Sequence, residues 1–466
     1  MDGKTTLNLS DLFPFPNYDD WKLEAEKLLK GAPFDKVIKT ETVEGITLNG
    51  LYSETPSNFY HLPVTKTEQD EKPKIKIDLS IYNDSGSSAV DDLGLMCALI
   101  VSEANKSNLN DIFTKTEFIF GVGSNIFMEI AKLRAARYLF LKLAEAYGIE
   151  PNGAYMRIHA KTSYYTKTFY DPWVNILRTS TETFSAIVGG CDSIDITPFD
   201  SIQGESDDFS KRIARNQELI LKEEAHLNAV ADPAAGSYYV ETLTFELISK
   251  GWELFLEIED KGGFEQASDF IVQKINKSHE YRLKNAETRK DNIVGTSIFA
   301  NLNEKRVATT PNTIGEDGVI PKRRLSSSFE EIRNTVEKIE PRPEVFVANI
   351  GRTVKNKARV DFALGFFEPA GFYCHVNDGF EDVTSALNYV KESKAKIVVL
   401  CSTDDQYPVI VPDFAKEFKT ICPEKTLVLA GYPKDHLETF TKAGVDFYIY
   451  MRANVVTTIT NILSRI

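Results

Sequence analysis

Residues 351–358 read Gly-Arg-Thr-Val-Lys-Asn-Lys-Ala. They lie between an apolar run, Val345-Phe346-Val347-Ala348-Asn349-Ile350, and a helical pattern carrying Phe362, Leu364 and Phe366. A strand-to-helix loop of this kind is where an α/β fold places a ligand. Its own chemistry is narrow, because a protonated Lys355 has no lone pair to give a metal. Lys355, Lys357 and Arg359 near a helix start have two readings, an anion site or a solvated helix face. A second candidate is His159, in Arg157-Ile158-His159-Ala160-Lys161-Thr162-Ser163. It is either a polar group at the carboxyl end of an expected strand or a satisfied buried histidine. The adjacent acids Asp404-Asp405 read as a solvated loop rather than a metal or phospho-acceptor pair.

Three blocks must position these residues. In block 1–60, Trp21, Ala25, Leu28 and Leu29 fall at helical spacing, Gly31 stops the helix, and alternation from Val37 to Leu51 predicts a hairpin. Block 74–300 alternates strand and helix patterns: strands at 74–81, 117–120, 154–158 and 193–196, helices at 90–103, 125–147, 172–188 and 209–224. Such alternation implies parallel βα units. Block 344–466 repeats the pattern with strands at 345–350, 372–376, 396–401, 426–430 and 446–450, which predicts a flavodoxin-like doubly wound sheet. Residues 301–343, rich in Pro, Gly and Ser, read as a linker with one short helix from Phe329 to Ile339.

Composition excludes some classes. The 466 residues carry a formal charge of −14, a poor balance for nucleic acid, which recruits clustered Lys and Arg. Five cysteines without CxxC pairing read as buried apolar residues in a reducing compartment. No window approaches 18 uninterrupted apolar residues and the start lacks a basic n-region, so no membrane association and a cytoplasmic protein are expected.

Longer matches then accumulate. Leu133-Arg134-Ala135-Ala136-Arg137, Asp171-Pro172, Arg178-Thr179, Gly189-Gly190, Asp208-Phe209-Ser210, Arg212-Ile213-Ala214-Arg215-Asn216, Asp232-Pro233 and Gly236-Ser237-Tyr238-Tyr239-Val240-Glu241 follow one another over more than a hundred residues. In order and spacing they resemble the methylmalonyl-CoA mutase family. The resemblance implies an α/β (TIM-type) barrel followed by a B12-binding-type domain. Only about twenty residues separate Tyr52 from Lys74, where the family has its first barrel strands and the segment that threads the substrate. An incomplete or abbreviated barrel is therefore expected, since a full one takes about 250 residues.

The same resemblance makes the departures legible. Catalytic members carry Asp-x-His-x-x-Gly in the loop at 353–358, and its His ligates the cobalt of adenosylcobalamin; here Thr353, Lys355 and Ala358 stand at those positions. Ile81 takes the place of a barrel-strand His that contacts the substrate. Lys161 replaces a Gln beside the surviving His159, and Thr197 and Ser201 replace an Asn and a Glu that hold the cofactor's ribose. Cys401-Ser402-Thr403 and Ala430-Gly431 depart from the family's Ser-x-Leu and Gly-Gly around the nucleotide tail, and Val354, Ala358 and Ala430 are expected to crowd that slot.

The resemblance thus implies a small, β-type subunit that neither binds cobalamin nor turns over substrate, in a heterodimer whose large subunit carries adenosylcobalamin and interconverts methylmalonyl-CoA and succinyl-CoA. Phe13, Phe15, Trp21, Leu28 and Leu29 are the candidates for the contact, the alternative being that the arm packs on its own barrel. One rival is a self-sufficient acyl-CoA mutase, which would need a cobalt ligand. The other is a regulatory module using the altered loop for an anion.

Overall fold

The computed structural model describes residues 17–54, 72–304, 320–351 and 353–466. Phe13 and Phe15 lie outside the described residues. The predicted hairpin forms as β1 (Thr40–Glu41) against β2 (Thr47–Leu48). Ahead of it runs the helix Tyr18–Leu28, started by a reciprocal cap between Asn17 and Asp20.

The first parallel sheet contains β3 (Ile75–Asp78), β4 (Thr116–Val122), β5 (Arg157–Thr162) and β6 (Ser193–Asp195), adjacent in that order. Its helices include Ala89–Ala104, Ile126–Ala146, Val174–Val188 and Tyr238–Glu259. The strands alternate. Ile77, Phe118, Phe120, Ile158, Ala160 and Ile194 join the helices in one core, while Lys76, Asp78, Glu117, Arg157, His159, Lys161 and Asp195 sit at the alternate positions. Parallel sheets normally bury both faces. Here the second face is bound by ion pairs: Lys76 to Glu117 at 3.0 Å, Lys161 to Asp78 at 3.6 Å and His159 to Asp195 at 3.2 Å.

The second sheet runs β11 (Phe447–Ile449), β10 (Thr426–Ala430), β9 (Ile397–Cys401), β7 (Glu344–Asn349), β8 (Tyr373–Val376), all parallel. Both of its faces are apolar. Val345, Val347, Val399 and Val428 pack against the helices Thr353–Phe367 and Val455–Leu463, and Phe346, Ala348, Leu400 and Leu429 against the other layer. Five strands and two helical layers match the spacing read from the sequence.

Three expectations need correction. The strand predicted over 74–81 ends at Asp78, whose carboxylate accepts from the Ser80 amide at 2.9 Å and turns the chain into the short helix Ser80–Asn83. The strand predicted at 154–158 runs 157–162, which puts His159 in its middle rather than at its carboxyl end. The stretch read as a linker is, from residue 320 on, tied down. The Arg323 and Leu325 amides donate to Asp84 O (2.8 Å) and Tyr165 O (3.0 Å), and the helix Ser327–Glu337 buries Phe329, Ile332 and Val336. Its Pro and Gly content disguised those contacts, because the partners lie far away in sequence.

Candidate functional site

The residues of the first sheet's carboxyl end are set by buried charge. Lys132, on the helix Ile126–Ala146, is 1% exposed and reaches Asp92 at 3.0 Å, Glu129 at 2.7 Å and the Gly121 carbonyl at 2.7 Å. Burial pushes the Asp92 carboxyl up to about 6, against the pull of Lys132. Lys167 meets Glu182 at 2.6 Å with both side chains fully buried. Desolvation lowers the lysine and raises the carboxyl, since each charge has left water.

The motif residues resolve into struts. Arg134 pairs with Asp232 at 2.9 Å and Glu241 at 2.9 Å, joining three separate stretches of the sequence pattern in one buried cluster. Arg137 donates to the Met156 carbonyl at 2.8 Å and to Gly190 O, and lies 3.4 Å from Asp192. Arg178 donates to Thr168, Asn175 and the Val294 carbonyl. Arg137 thus ties its helix to the chain entering β5 and β6, while Arg134 and Arg178 tie helices to loops and to a neighbouring helix.

The positions read as replaced catalytic groups are dispersed. Ile81 is 55% exposed on the short helix after β3. His159 bonds Ser193 Oγ through Nδ1 at 2.8 Å and faces Asp195 through Nε2, so both ring nitrogens are engaged on the polar sheet face. Lys161 is on the same face, paired with Asp78. Thr197 donates its hydroxyl to the Thr162 carbonyl at 3.1 Å and its amide to the Thr162 hydroxyl at 2.8 Å, which locks the chain after β6. Ser201 Oγ is buried without a hydrogen-bond partner.

At the second sheet, Lys355 and Ala358 are exposed on the helix that begins at Thr353, and Val354 is 91% exposed. Val354 and Ala358 therefore do not crowd the slot, contrary to the expectation. Other residues fill it. Tyr407, fully buried, donates to the Ala430 carbonyl and accepts from the Ser402 amide at 3.2 Å. The Arg359 guanidinium bonds Asp404 at 2.8 Å and the Ala430 carbonyl at 3.1 Å. A Cβ added at Gly431, where φ is +145°, would lie 2.9 Å from Arg359 Nη1 and 3.2 Å from the Tyr407 ring. Asn356, buried, donates to Asn349 Oδ1 at 2.8 Å and to the Ile350 carbonyl at 2.9 Å, closing the turn behind Gly351. Sequence reasoning missed Tyr407, and it read Arg359 as an anion site or a solvated helix face rather than as the partner of Asp404 and the Ala430 carbonyl; the two residues are 48 apart and carry no shared motif.

Comparison with known proteins agrees with this layout. The family model for methylmalonyl-CoA mutase matches residues 60–343. A methylmalonyl-CoA mutase small subunit from Porphyromonas gingivalis is 40% identical over 363 residues, covering 75% of this chain and 58% of the relative. The small subunit from Streptomyces virginiae is 34% identical, covering 84% and 64%. A methylmalonyl-CoA mutase from Rhizobium meliloti is 35% identical over 268 residues, 55% of this chain and 38% of the relative. The chain thus spans about 58–64% of the length of the small subunits it matches. With the family's motifs assembled as struts and its sequence matched over most of its length, this chain belongs to the methylmalonyl-CoA mutase family.

Proposed function

We propose that the chain is the small subunit of a heterodimeric methylmalonyl-CoA mutase, acting as a non-catalytic scaffold that binds no cobalamin. The observation that carries this reading is the contrast between two residue sets. The motif residues Arg134, Asp232, Glu241, Arg137 and Arg178 are all spent on internal contacts. The positions of cofactor and substrate contacts hold Ile81, Lys161, Thr197, Ser201 and Lys355, none of which reproduces the replaced chemistry.

The residues present do not fit adenosylcobalamin. Lys355 cannot ligate cobalt, and the strand-end slot that would take a nucleotide tail is filled by Tyr407 and Arg359. His375, on β8, lies 3.4 Å from Glu344 and away from that loop, which weakens the reading of a self-sufficient mutase. The strand order of the second sheet, 2-1-3-4-5 counted within that sheet, supports a flavodoxin-like, degenerate B12-type domain over 344–466. The four-stranded first sheet supports an abbreviated barrel over 74–300. Five unpaired cysteines suit a reducing cytoplasm, and among the described residues no helix is long and apolar enough to cross a membrane.

The partner in this reading is a large catalytic subunit that carries adenosylcobalamin and interconverts methylmalonyl-CoA and succinyl-CoA. Co-expression with a full-length mutase chain having an intact Asp-x-His-x-x-Gly loop tests it. The two chains should co-purify, with cobalamin absorbance following the large chain alone. Stoichiometric cobalamin on the isolated chain, or turnover by it, would overturn the scaffold reading.

A further inference from the structure

Two α/β units joined by a single connection shift against each other unless a large or apolar contact ties them. Here the tie is made at two places. Both lie on the helical layer of the second sheet formed by Thr353–Phe367 and Val455–Leu463.

The first joint is Arg289, just past the end of the helix Ser268–Glu287. Its guanidinium carbon lies 5.0 Å from the Phe362 ring centroid and 5.3 Å from that of Phe366, and its Nη1 donates to the Gly365 carbonyl at 2.6 Å. The Arg289 carbonyl accepts from Arg452 Nη1 at 2.9 Å, and Glu287 accepts from Asn454 Nδ2 at 2.8 Å. Arg289 holds φ at +52°, a left-handed conformation that is unfavourable for a residue bearing a Cβ. Contacts to the second sheet's layer from both its side chain and its main chain offset that cost.

The second joint is the helix Ser327–Glu337, which faces both ways. Phe329, Ile332 and Val336 enter the core of the second sheet with Val345, Phe366 and Ile459. The polar side grips the loop after β5. Glu330 accepts from the Phe169 amide at 2.8 Å, Glu337 accepts from the Tyr170 hydroxyl at 3.1 Å, and the Arg333 guanidinium carbon lies 4.0 Å from the Tyr170 ring centroid. Arg333 is 2% exposed and also donates to the Asn301 carbonyl at 2.9 Å. Separating the two units would take Tyr170, Asn301 and the Phe169 amide away from these buried charges, and a buried charge left short of partners is strongly destabilising.

We infer that Arg289 and the helix Ser327–Glu337 lock the two sheets into one cooperative body, so that the second sheet neither rocks against the first nor unfolds apart from it. A partner that grips either sheet then fixes the position of the other. The inference concerns contacts within this chain and is independent of whether the chain is a catalytic partner or a scaffold.

Hydrogen exchange of the full chain across a urea series, read by mass spectrometry on peptides covering β4 and β9, tests it. In the parent both peptides should lose protection at one midpoint. Arg289→Gly removes the side chain while suiting the left-handed backbone, and Arg333→Met removes the charge from the second joint. In each variant the two midpoints should separate by about 0.5 M urea or more. Arg289→Gly decides alone if Arg333→Met does not fold. Lys442→Gln, at an exposed helix position paired with Glu438, should keep the two midpoints together. Separate midpoints in the parent would overturn the inference. So would midpoints that stay together in folded Arg289→Gly.

Discussion

The Arg359 guanidinium carbon lies 5.1 Å from the centroid of the Tyr407 ring, and both side chains bond the Ala430 carbonyl. Two residues from different helices thus plug the mouth between β9 and β10. Tyr407→Ala should cost about 3–5 kcal/mol, as for other large buried aromatics. Tyr407→Phe should cost about 1–2 kcal/mol for the lost hydroxyl bonds. Urea unfolding measures both, and a loss under 1 kcal/mol for the alanine variant would mean that the plug is loosely packed.

The same plug sets the outcome of restoring a ligand. Lys355→His should not confer adenosylcobalamin binding, because a histidine there leaves Tyr407 and Arg359 in place. Equilibrium dialysis of the variant is the check, and stoichiometric uptake would show that the slot opens.

Arg134→Met should destabilise by about 3–5 kcal/mol, since buried Glu241 and partly buried Asp232 would be left without their cation. Denaturant melts would show it as a lower midpoint with an unchanged slope. An effect below 1 kcal/mol would contradict the strut role of the motif.

His279 gives a pH dependence with a definite sign. Burial, then Arg323 and Arg282, depress its pKa to about 4, while its Nδ1 lies 2.9 Å from the Tyr165 hydroxyl. The unfolded chain takes up the proton first, so this contribution is full above the ordinary value of 6.5 and is lost as pH falls towards about 4. Screening at this partly exposed site limits it to on the order of 2 kcal/mol. Stability curves between pH 4 and 7 should be flatter for His279→Gln than for the parent; parallel curves would remove His279 as the source.

The arm is half committed. Trp21 packs edge-on against Phe34 at 5.8 Å and beside Tyr18 at 5.5 Å, within its own block. Leu28 is 82% exposed, Leu29 half-buried and Leu23 57% exposed, and the helix Tyr18–Leu28 buries none of its residues. An exposed amphipathic helix gains stability by covering its apolar stripe. Deleting residues 1–31 should weaken pull-down of a large mutase subunit while the second sheet stays folded; equal pull-down would assign the arm to the chain's own body.

Periodicity was enough to place nine strands in two parallel sheets within a few residues, because period-2 and period-3.6 patterns arise from local geometry. It failed where a side chain redirected the backbone, as Asp78 does when it captures the Ser80 amide and ends β3 early. That Ile81 carries no polar group and that a protonated Lys355 cannot ligate a metal follow from residue type alone, whereas reading 81, 161, 197, 201 and 353–358 as replaced positions rests on the family resemblance. The tertiary structure alone decided that Lys355 and Val354 face solvent and that Tyr407 and Arg359 close the slot. It also decided that Arg134 joins Asp232 and Glu241, and that Arg178 bonds Thr168, Asn175 and the Val294 carbonyl. Each of these depends on which distant segments meet, a relation fixed by core packing and absent from any short stretch of the chain.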